Sequence, residues 1–133
     1  MGRAVSSNTT MDWTGLCVEA ALGGLGALAV VRDGELVKDP ALRRLLKTVA
    51  RESAAAARGA GLRVSGRPER IAANRCRRHP DHRHPWQRAL RQGRQTGADA
   101  VLGPLLQAAR RSGTPVPSLS LIAAVLRRLD QKR

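Results

Sequence analysis

The feature that most constrains the fold is the spacing of apolar residues between positions 96 and 117. They fall at positions i, i+1, i+4, i+5 and i+8, which is typical of the buried face of an α-helix. The residues of this stripe are Val101, Leu102, Leu105, Leu106 and Ala109. Thr96 is a predicted N-cap, Gly113 suits the left-handed conformation that ends a helix, and Pro115 prevents its resumption. The stretch therefore predicts a long core helix with defined ends.

The same helical spacing recurs along most of the chain. Further helices are predicted over 11–31, 40–58, 68–76, 84–92 and 119–129. Their predicted buried residues are Trp13, Leu16, Cys17, Ala20, Ala21, Leu42, Leu45, Leu46, Val49, Ala50, Ser53, Ile71, Leu121, Ile122, Val125, Leu126 and Leu129. Asp39 is a good N-cap for the second of these helices, and Pro40 suits its first position.

Three local features remain to be placed on this pattern. Gly23 and Gly24 weaken the first helix, and they either allow a break or kink in it or let another helix pack closely. Asp33 followed by Gly34 predicts a turn. Glu52 lies beside a buried stripe, where it is either a solvated flank, the commoner case, or a buried and paired carboxylate.

Length and composition favour a single all-α domain. The 133 residues suit one domain with a modest core. The chain has no Phe and no Tyr, so its core must be built from small aliphatic side chains and two Trp. Alternation with a period of two, the pattern of strands, is almost absent. We predict a compact bundle of five to six helices, preceded by a polar leader over residues 1–10.

The formal net charge of +14 allows two interpretations. A basic surface can bind a polyanion, and the arginine-rich stretch from Arg67 to Arg94 makes a nucleic-acid-binding helical module one hypothesis. However, basic residues occur in every segment, and no aromatic residues are interleaved with them to stack on bases. A solvated surface that binds polyanions nonspecifically at low salt is the simpler interpretation.

Cysteine content and hydropathy indicate a soluble protein. Cys17 and Cys76 are too few for a disulfide framework. The longest uncharged apolar run, 20–31, is shorter than the ~20 residues that a membrane span needs. We therefore expect a cytoplasmic protein that does not associate with membranes.

Two short motifs could indicate ligands. Cys76, His79, His82 and His84 are residue types that bind zinc, but one cysteine among several arginines favours a solvated loop over a metal site.

The second motif matches the dinucleotide fingerprint G-x-G-x-x-A at Gly24, Gly26 and Ala29. Because no strand precedes it and no βαβ unit follows, close helix packing is the better interpretation.

The order of several motifs resembles that of one enzyme family. The positions that carry the resemblance are Trp13, Gly34-Glu35-Leu36, Asp39, Arg43, Gly93, Arg94, Thr96, Asp99, Gly113 and Pro117, and the stretch from Pro85 to Leu90 corresponds to a further family segment of the same length. Together they resemble the C-terminal helical domain of ketopantoate reductases, NADPH-dependent enzymes that reduce 2-dehydropantoate in pantothenate biosynthesis. The resemblance implies a fold similar to the C-terminal domain of 6-phosphogluconate dehydrogenases.

The resemblance also implies which positions would carry function, and five of them are altered. The family's catalytic Lys falls at Gly15, its two substrate-binding Asn at Glu19 and Gly23, its Ser at Pro85 and a Glu at Gly97. Gly15 has no side chain that could donate a proton to a ketone. The Glu19 carboxylate would repel the carboxylate of a 2-oxo acid. The retained framework positions are Trp13, Gly93, Arg94, Thr96 and Asp99.

The family places NADPH in an N-terminal Rossmann domain, which we expect this chain to lack. We accordingly expect no cofactor on this chain alone, no catalysis by it, and a role as an interaction or remnant domain. An exposed apolar face would bind a Rossmann-domain subunit or a second copy. The alternative is the substrate-domain subunit of a split reductase that a separate Rossmann subunit completes.

Overall fold

The computed structural model describes residues 12–131, which form helices and connecting loops with no strand. The seven helices in this range are α1 (Trp13–Ala29), α2 (Asp33–Lys38), α3 (Pro40–Gly59), α4 (Pro68–Arg78), α5 (Pro85–Arg91), α6 (Asp99–Ser112) and α7 (Pro117–Gln131). The all-α prediction is confirmed, with one short helix more than expected. The predicted leader over 1–10 lies outside the described residues.

Helix α1 is the centre of the bundle. Helices α3 to α7 all pack against it, and its second half is buried on every side. That second half is mostly Ala and Gly, so the neighbouring helices can approach closely. Within residues 12–131, no helix has both the length and the apolar content that a membrane crossing requires.

Of the two options that the sequence left open at Gly23 and Gly24, a break and close helix packing, the structure has the second, because α1 continues through both residues to Ala29. A Cβ atom on Gly24 would lie 2.7 Å from Cγ2 of Ile122 on α7. The fingerprint Gly24, Gly26 and Ala29 therefore lies inside a helix and serves close packing, as predicted.

The turn predicted at Asp33 and Gly34 is also wrong, since these residues begin the short helix α2. The backbone N–H of Asp33 donates to the carbonyl of His82 at 2.9 Å, and that of Gly34 donates to the carbonyl of Pro80 at 2.9 Å. A distant loop thus satisfies two N–H groups that a helix start leaves free.

Helix α3 begins as predicted. The Asp39 side chain accepts hydrogen bonds from the backbone N–H groups of Ala41 (2.9 Å) and Leu42 (3.2 Å), and Pro40 occupies the first position. Leu46 of the predicted stripe is fully buried.

The predicted apolar stripes include residues at their edges that are not buried in the structure. Four residues assigned to the core are exposed: Leu45, Ile71, Leu121 and Val125. They lie on α3, α4 and α7, which are covered on one side only and bury a narrower face than their sequences offer.

Helix α6 ends at Gly113, whose φ of 70° is left-handed as predicted. Its start differs from the prediction, because the helix begins at Asp99 with Ala98 at the N-cap position. The Thr96 hydroxyl accepts a hydrogen bond from the N–H of Ala98 at 3.1 Å, which places Thr96 in a turn just before the helix.

Glu52 is half-buried and paired, the rarer of the two options that the sequence left open. Its carboxylate accepts hydrogen bonds from the backbone N–H groups of Ser118 (3.2 Å) and Leu119 (2.9 Å). These groups belong to the first turn of α7, so Glu52 caps α7 from the middle of α3.

Candidate functional site

Three of the five positions where the resemblance implies a functional residue share one face of α1. Gly15, Glu19 and Gly23 are spaced four residues apart, and residues at this spacing lie above one another on a helix. Side chains from α4 and from the start of α5 cover this face at Glu19 and Gly23. Of the three residues, only Glu19 has an ionisable side chain.

Glu19 connects three segments of the chain through its carboxylate. One oxygen, Oε2, accepts from the Arg75 guanidinium at 2.5 Å, and the other, Oε1, lies 2.7 Å from Nε2 of the buried His84. The hydrogen bond with His84 is the main cause that lowers the pKa of Glu19 to about 2, and Arg75 adds to it against the opposing effect of burial. Glu19 is therefore an anion whose two oxygens are both occupied.

The hydrogen bonds of His84 assign its tautomer. Its Nδ1 accepts from the backbone N–H of Trp86 at 3.1 Å and so caps α5. Because Nδ1 accepts, the ring proton lies on Nε2 and is donated to Glu19. Both ring nitrogens are thus engaged in holding the start of α5 against α1.

Gly23 provides the space for the residues around Pro85. A Cβ atom on Gly23 would lie 2.6 Å from Cζ3 of Trp86 and 2.7 Å from Cε1 of His84. The two rings meet edge to face, with centroids 4.9 Å apart. Pro85 is the exposed first residue of α5, between these two rings in sequence. A longer side chain at position 23 cannot fit while Trp86 stays in place.

Gly15 borders an open groove of about 550 Å³ next to the start of α1. Its backbone N–H donates to the Asp12 carboxylate at 3.0 Å, and Thr14 and Ser65 form reciprocal hydrogen bonds across the groove. Arg75 also lines this groove. The positive charge nearest to Gly15 in the lining thus comes from a side chain on another helix, and Glu19 already neutralises it.

Gly97 lies in a cleft of about 490 Å³ lined in part by Asp99, Arg127 and Asp130. The Thr96 hydroxyl donates to Oδ2 of Asp130 at 2.6 Å, and Nε of Arg127 donates to Oδ1 of Asp99 at 2.8 Å. Gly97 has a left-handed φ of 74°. The retained positions Thr96 and Asp99 therefore fix the loop before α6 to the end of α7.

The other framework positions are also structural. Gly93 has a left-handed φ of 72° in the turn after α5, and the backbone N–H of Arg94 donates to the carbonyl of Ala89 at 2.8 Å. Trp13 is half-buried and packs against the core.

The four metal-ligand candidates have separate roles. Cys76 is fully buried, and burial raises its pKa to about 12. His79 is exposed at the end of α4, while Nδ1 of His82 lies 3.1 Å from the Asp33 carboxylate. Across residues 12–131, no three His, Cys, Asp or Glu side chains are grouped so that they could hold a metal ion.

Sequence reasoning missed the importance of Arg75 and Gln87. The Gln87 amide is buried and donates to the carbonyls of Gly26 and Val31, at 2.7 Å each, where α1 ends. A glutamate within an apolar helix indicates that a cation is needed nearby. Among 24 Lys and Arg residues, however, the sequence does not show which one supplies it.

The family described as the C-terminal domain of PanE/ApbA ketopantoate reductases matches residues 9–130. The chain therefore belongs to the family of ketopantoate reductase C-terminal domains.

Solved structures give the same fold. A ketopantoate reductase from Ralstonia eutropha superposes with a TM-score of 0.82 at 22% identity, over 90% of this chain and 40% of that one. A probable 2-dehydropantoate 2-reductase from Bacillus subtilis gives 0.72 at 31% identity, over 87% and 39%. A dimeric ketopantoate reductase from Staphylococcus aureus gives 0.81 at 20% identity, over 90% and 42%. The chain spans about two fifths of each of these proteins.

Proposed function

We propose that this chain is a ketopantoate reductase-type helical domain that does not supply the catalytic groups of a reductase and acts instead as an interaction domain. The observation that carries the proposal is the state of Glu19. It occupies a position where the family binds substrate, and both of its oxygens are bonded to His84 and Arg75.

The chemistry of the neighbouring positions supports the same conclusion. General acid catalysis needs a side chain that can transfer a proton to the carbonyl oxygen, and Gly15 has none. The ionised Glu19 repels a carboxylate substrate, and the charge of Arg75, which could attract one, is offset by Glu19. Among the described residues that line the groove at this face, a 2-oxo acid would thus meet no free cation.

Hydride transfer also needs a nucleotide bound in the correct place. The chain corresponds to about two fifths of the solved reductases, so any reductase activity depends on a nucleotide-binding part outside residues 12–131. Exposed Leu121 and Val125, which are four residues apart on α7, provide an apolar surface through which this domain would associate. Such a surface suits a Rossmann-domain subunit or a second copy of the chain.

The test is a fusion of this chain to the nucleotide-binding part of the Bacillus subtilis relative, assayed by NADPH oxidation with ketopantoate. We expect no turnover above background, although NADPH should still raise the Tm of the fusion. The control is the relative's own complete chain. Turnover by the fusion, or by the 133-residue chain mixed with a separate Rossmann subunit, would refute the non-catalytic role and favour the split reductase.

A matched fusion carries Gly15→Lys and Glu19→Asn, which restore two family side chains. If the proposal is correct, these substitutions give the fusion measurable activity, because the Lys returns a proton donor and the Asn removes the repelling charge. Gly23 stays unchanged in this variant, since a larger side chain there would collide with Trp86.

A further inference from the structure

Four arginines form one exposed stripe along α4. Arg67 is the residue before the helix, and Arg70, Arg77 and Arg78 follow at spacings of 3, 10 and 11 residues from it. At about 100° per residue, these positions fall within roughly 100° of the helix surface. The stripe is about 16 Å long at a rise of 1.5 Å per residue. All four arginines are exposed to solvent.

No carboxylate on α4 offsets this stripe. The only acidic residue of the helix, Glu69, is 16% exposed and pairs with Arg51 on α3 at 3.5 Å. The remaining arginine of the helix, Arg75, is directed to Glu19. Arg77 donates to the neutral amide of Asn74 at 3.1 Å, which orients it without cancelling its charge.

The stripe has little apolar surface beside it. Ile71 lies next to it and is 38% exposed, but the other apolar residues of α4, such as Ala72, Ala73 and Cys76, are buried in the core. Ile71, Asn74 and two of the arginines line a shallow groove of about 310 Å³. A helix that inserts into a membrane surface needs a broad exposed apolar face, which α4 does not have.

We propose that the arginine stripe of α4 binds the phosphate backbone of duplex nucleic acid. Each strand of a duplex presents a phosphate about every 3.4 Å along the axis, so the length of the stripe faces several phosphates. One guanidinium group can donate two parallel hydrogen bonds to the oxygens of one phosphate, and this bidentate geometry suits arginine to the contact. The lack of exposed aromatic side chains along α4 favours a duplex over a single strand, whose bases need stacking partners.

The test measures binding of the 133-residue chain to fluorescein-labelled duplex DNA and duplex RNA by fluorescence anisotropy, between about 50 and 200 mM salt. The stripe variant carries Arg67→Gln, Arg70→Gln, Arg77→Gln and Arg78→Gln. The control variant carries Arg44→Gln, Arg110→Gln, Arg111→Gln and Arg128→Gln, which remove the same charge from exposed residues on other helices.

We expect the stripe variant to bind duplexes at least about tenfold more weakly and to reduce the slope of log K against log salt by about three to four. The control variant should lose no more than about threefold, because distant charges are screened. Equal losses in both variants would overturn the proposal, since binding would then follow net charge alone. Absence of duplex binding by the wild type at the lowest salt would also overturn it.

Two further measurements keep the test decisive. Tighter binding to vesicles of phosphatidylserine and phosphatidylcholine than to either duplex would overturn the proposal in favour of a membrane surface.

If the stripe variant unfolds in a thermal melt, a variant with lysine at the same four positions replaces it. Lysine keeps the charge but loses the paired hydrogen bonds, so its affinity should lie below that of the wild type. Wild-type affinity in the lysine variant would contradict the guanidinium contact.

Discussion

Glu19 and Glu52 are the same residue type in similar settings, yet they are bound in different ways. Each is half-buried within a long helix, and each reaches a segment more than 50 residues away in sequence. Glu52 accepts hydrogen bonds from two backbone N–H groups at the start of α7. Glu19 instead pairs with two side chains, Arg75 and His84.

The difference separates a carboxylate that caps a helix start from one that depends on a network of side chains. Any helix start provides free N–H groups, so the role of Glu52 depends on the fold alone. The role of Glu19 depends on two particular side chains, and the space around them depends on Gly23. The face of α1 that carries Glu19 and Gly23 is thus closed by this side-chain network.

The largest expected effect comes from Gly23→Asn, four residues after Glu19 on the same face of α1. Because the new side chain would collide with Trp86 and His84, we expect a loss of about 3 kcal/mol in the free energy of unfolding. Urea denaturation measures this loss. The control is Gly103→Ala on α6, where nothing lies within 4 Å of the added carbon and stability should not fall. A Gly23→Asn variant as stable as the wild type would show that the network is not tightly packed.

Removing the cap from α7 is expected to have the next largest effect. Glu52→Ala leaves two N–H groups of α7 without their acceptor and should cost about 2 kcal/mol. Glu52→Gln keeps an acceptor oxygen and should cost less than half as much. Thermal unfolding of both variants tests this order. Equal losses would mean that the charge of Glu52, and not its position as an acceptor, stabilises the helix.

The pH dependence of stability distinguishes Glu19 from an uncharged substitute. The pKa of Glu19 is about 2 in the folded chain, below its usual 4.5, so its contribution is fully present above pH 4.5. The contribution is lost as the pH falls toward 2. We expect Glu19→Gln to cost about 1 kcal/mol at neutral pH and almost nothing near the folded pKa. If the free energies of unfolding of the variant and the wild type differ by the same amount over this pH range, Glu19 is not the ionised group assigned here.

The smallest effect is expected for Arg75→Gln. Its side chain is 40% exposed, and partly solvated ion pairs contribute about 0.5 kcal/mol. The same substitution should raise the pKa of Glu19, because one of the causes that lower it is removed. A titration of Glu19 followed by carbon NMR measures that change. An unchanged pKa would indicate that His84 alone maintains the ionised carboxylate.

The features that could be predicted from the sequence are those with local causes. Asp39 begins one helix and Gly113 ends another, each through the conformation of a few adjacent residues. Both predictions are confirmed. The helical class follows from spacing within each segment. The family resemblance rests on the order of such local motifs, which the match over residues 9–130 confirms.

The features that could not be predicted depend on partners distant in the chain. Asp33 begins a helix because its N–H group meets the carbonyl of His82. Leu121 remains 66% exposed because none of the helices within residues 12–131 covers that side of α7. Arg75 and His84 lie 56 and 65 residues from Glu19, so nothing near Glu19 in sequence identifies them as its partners.

The reactivity of the two cysteines can report how often the helix bundle opens. Cys17 and Cys76 are fully shielded, and burial raises the pKa of each thiol to about 12. A thiol that is neither accessible nor ionised does not react with an alkylating agent. Modification must therefore wait until α1 or α4 leaves the core, and the alkylation rate of the unmodified chain measures how often that occurs.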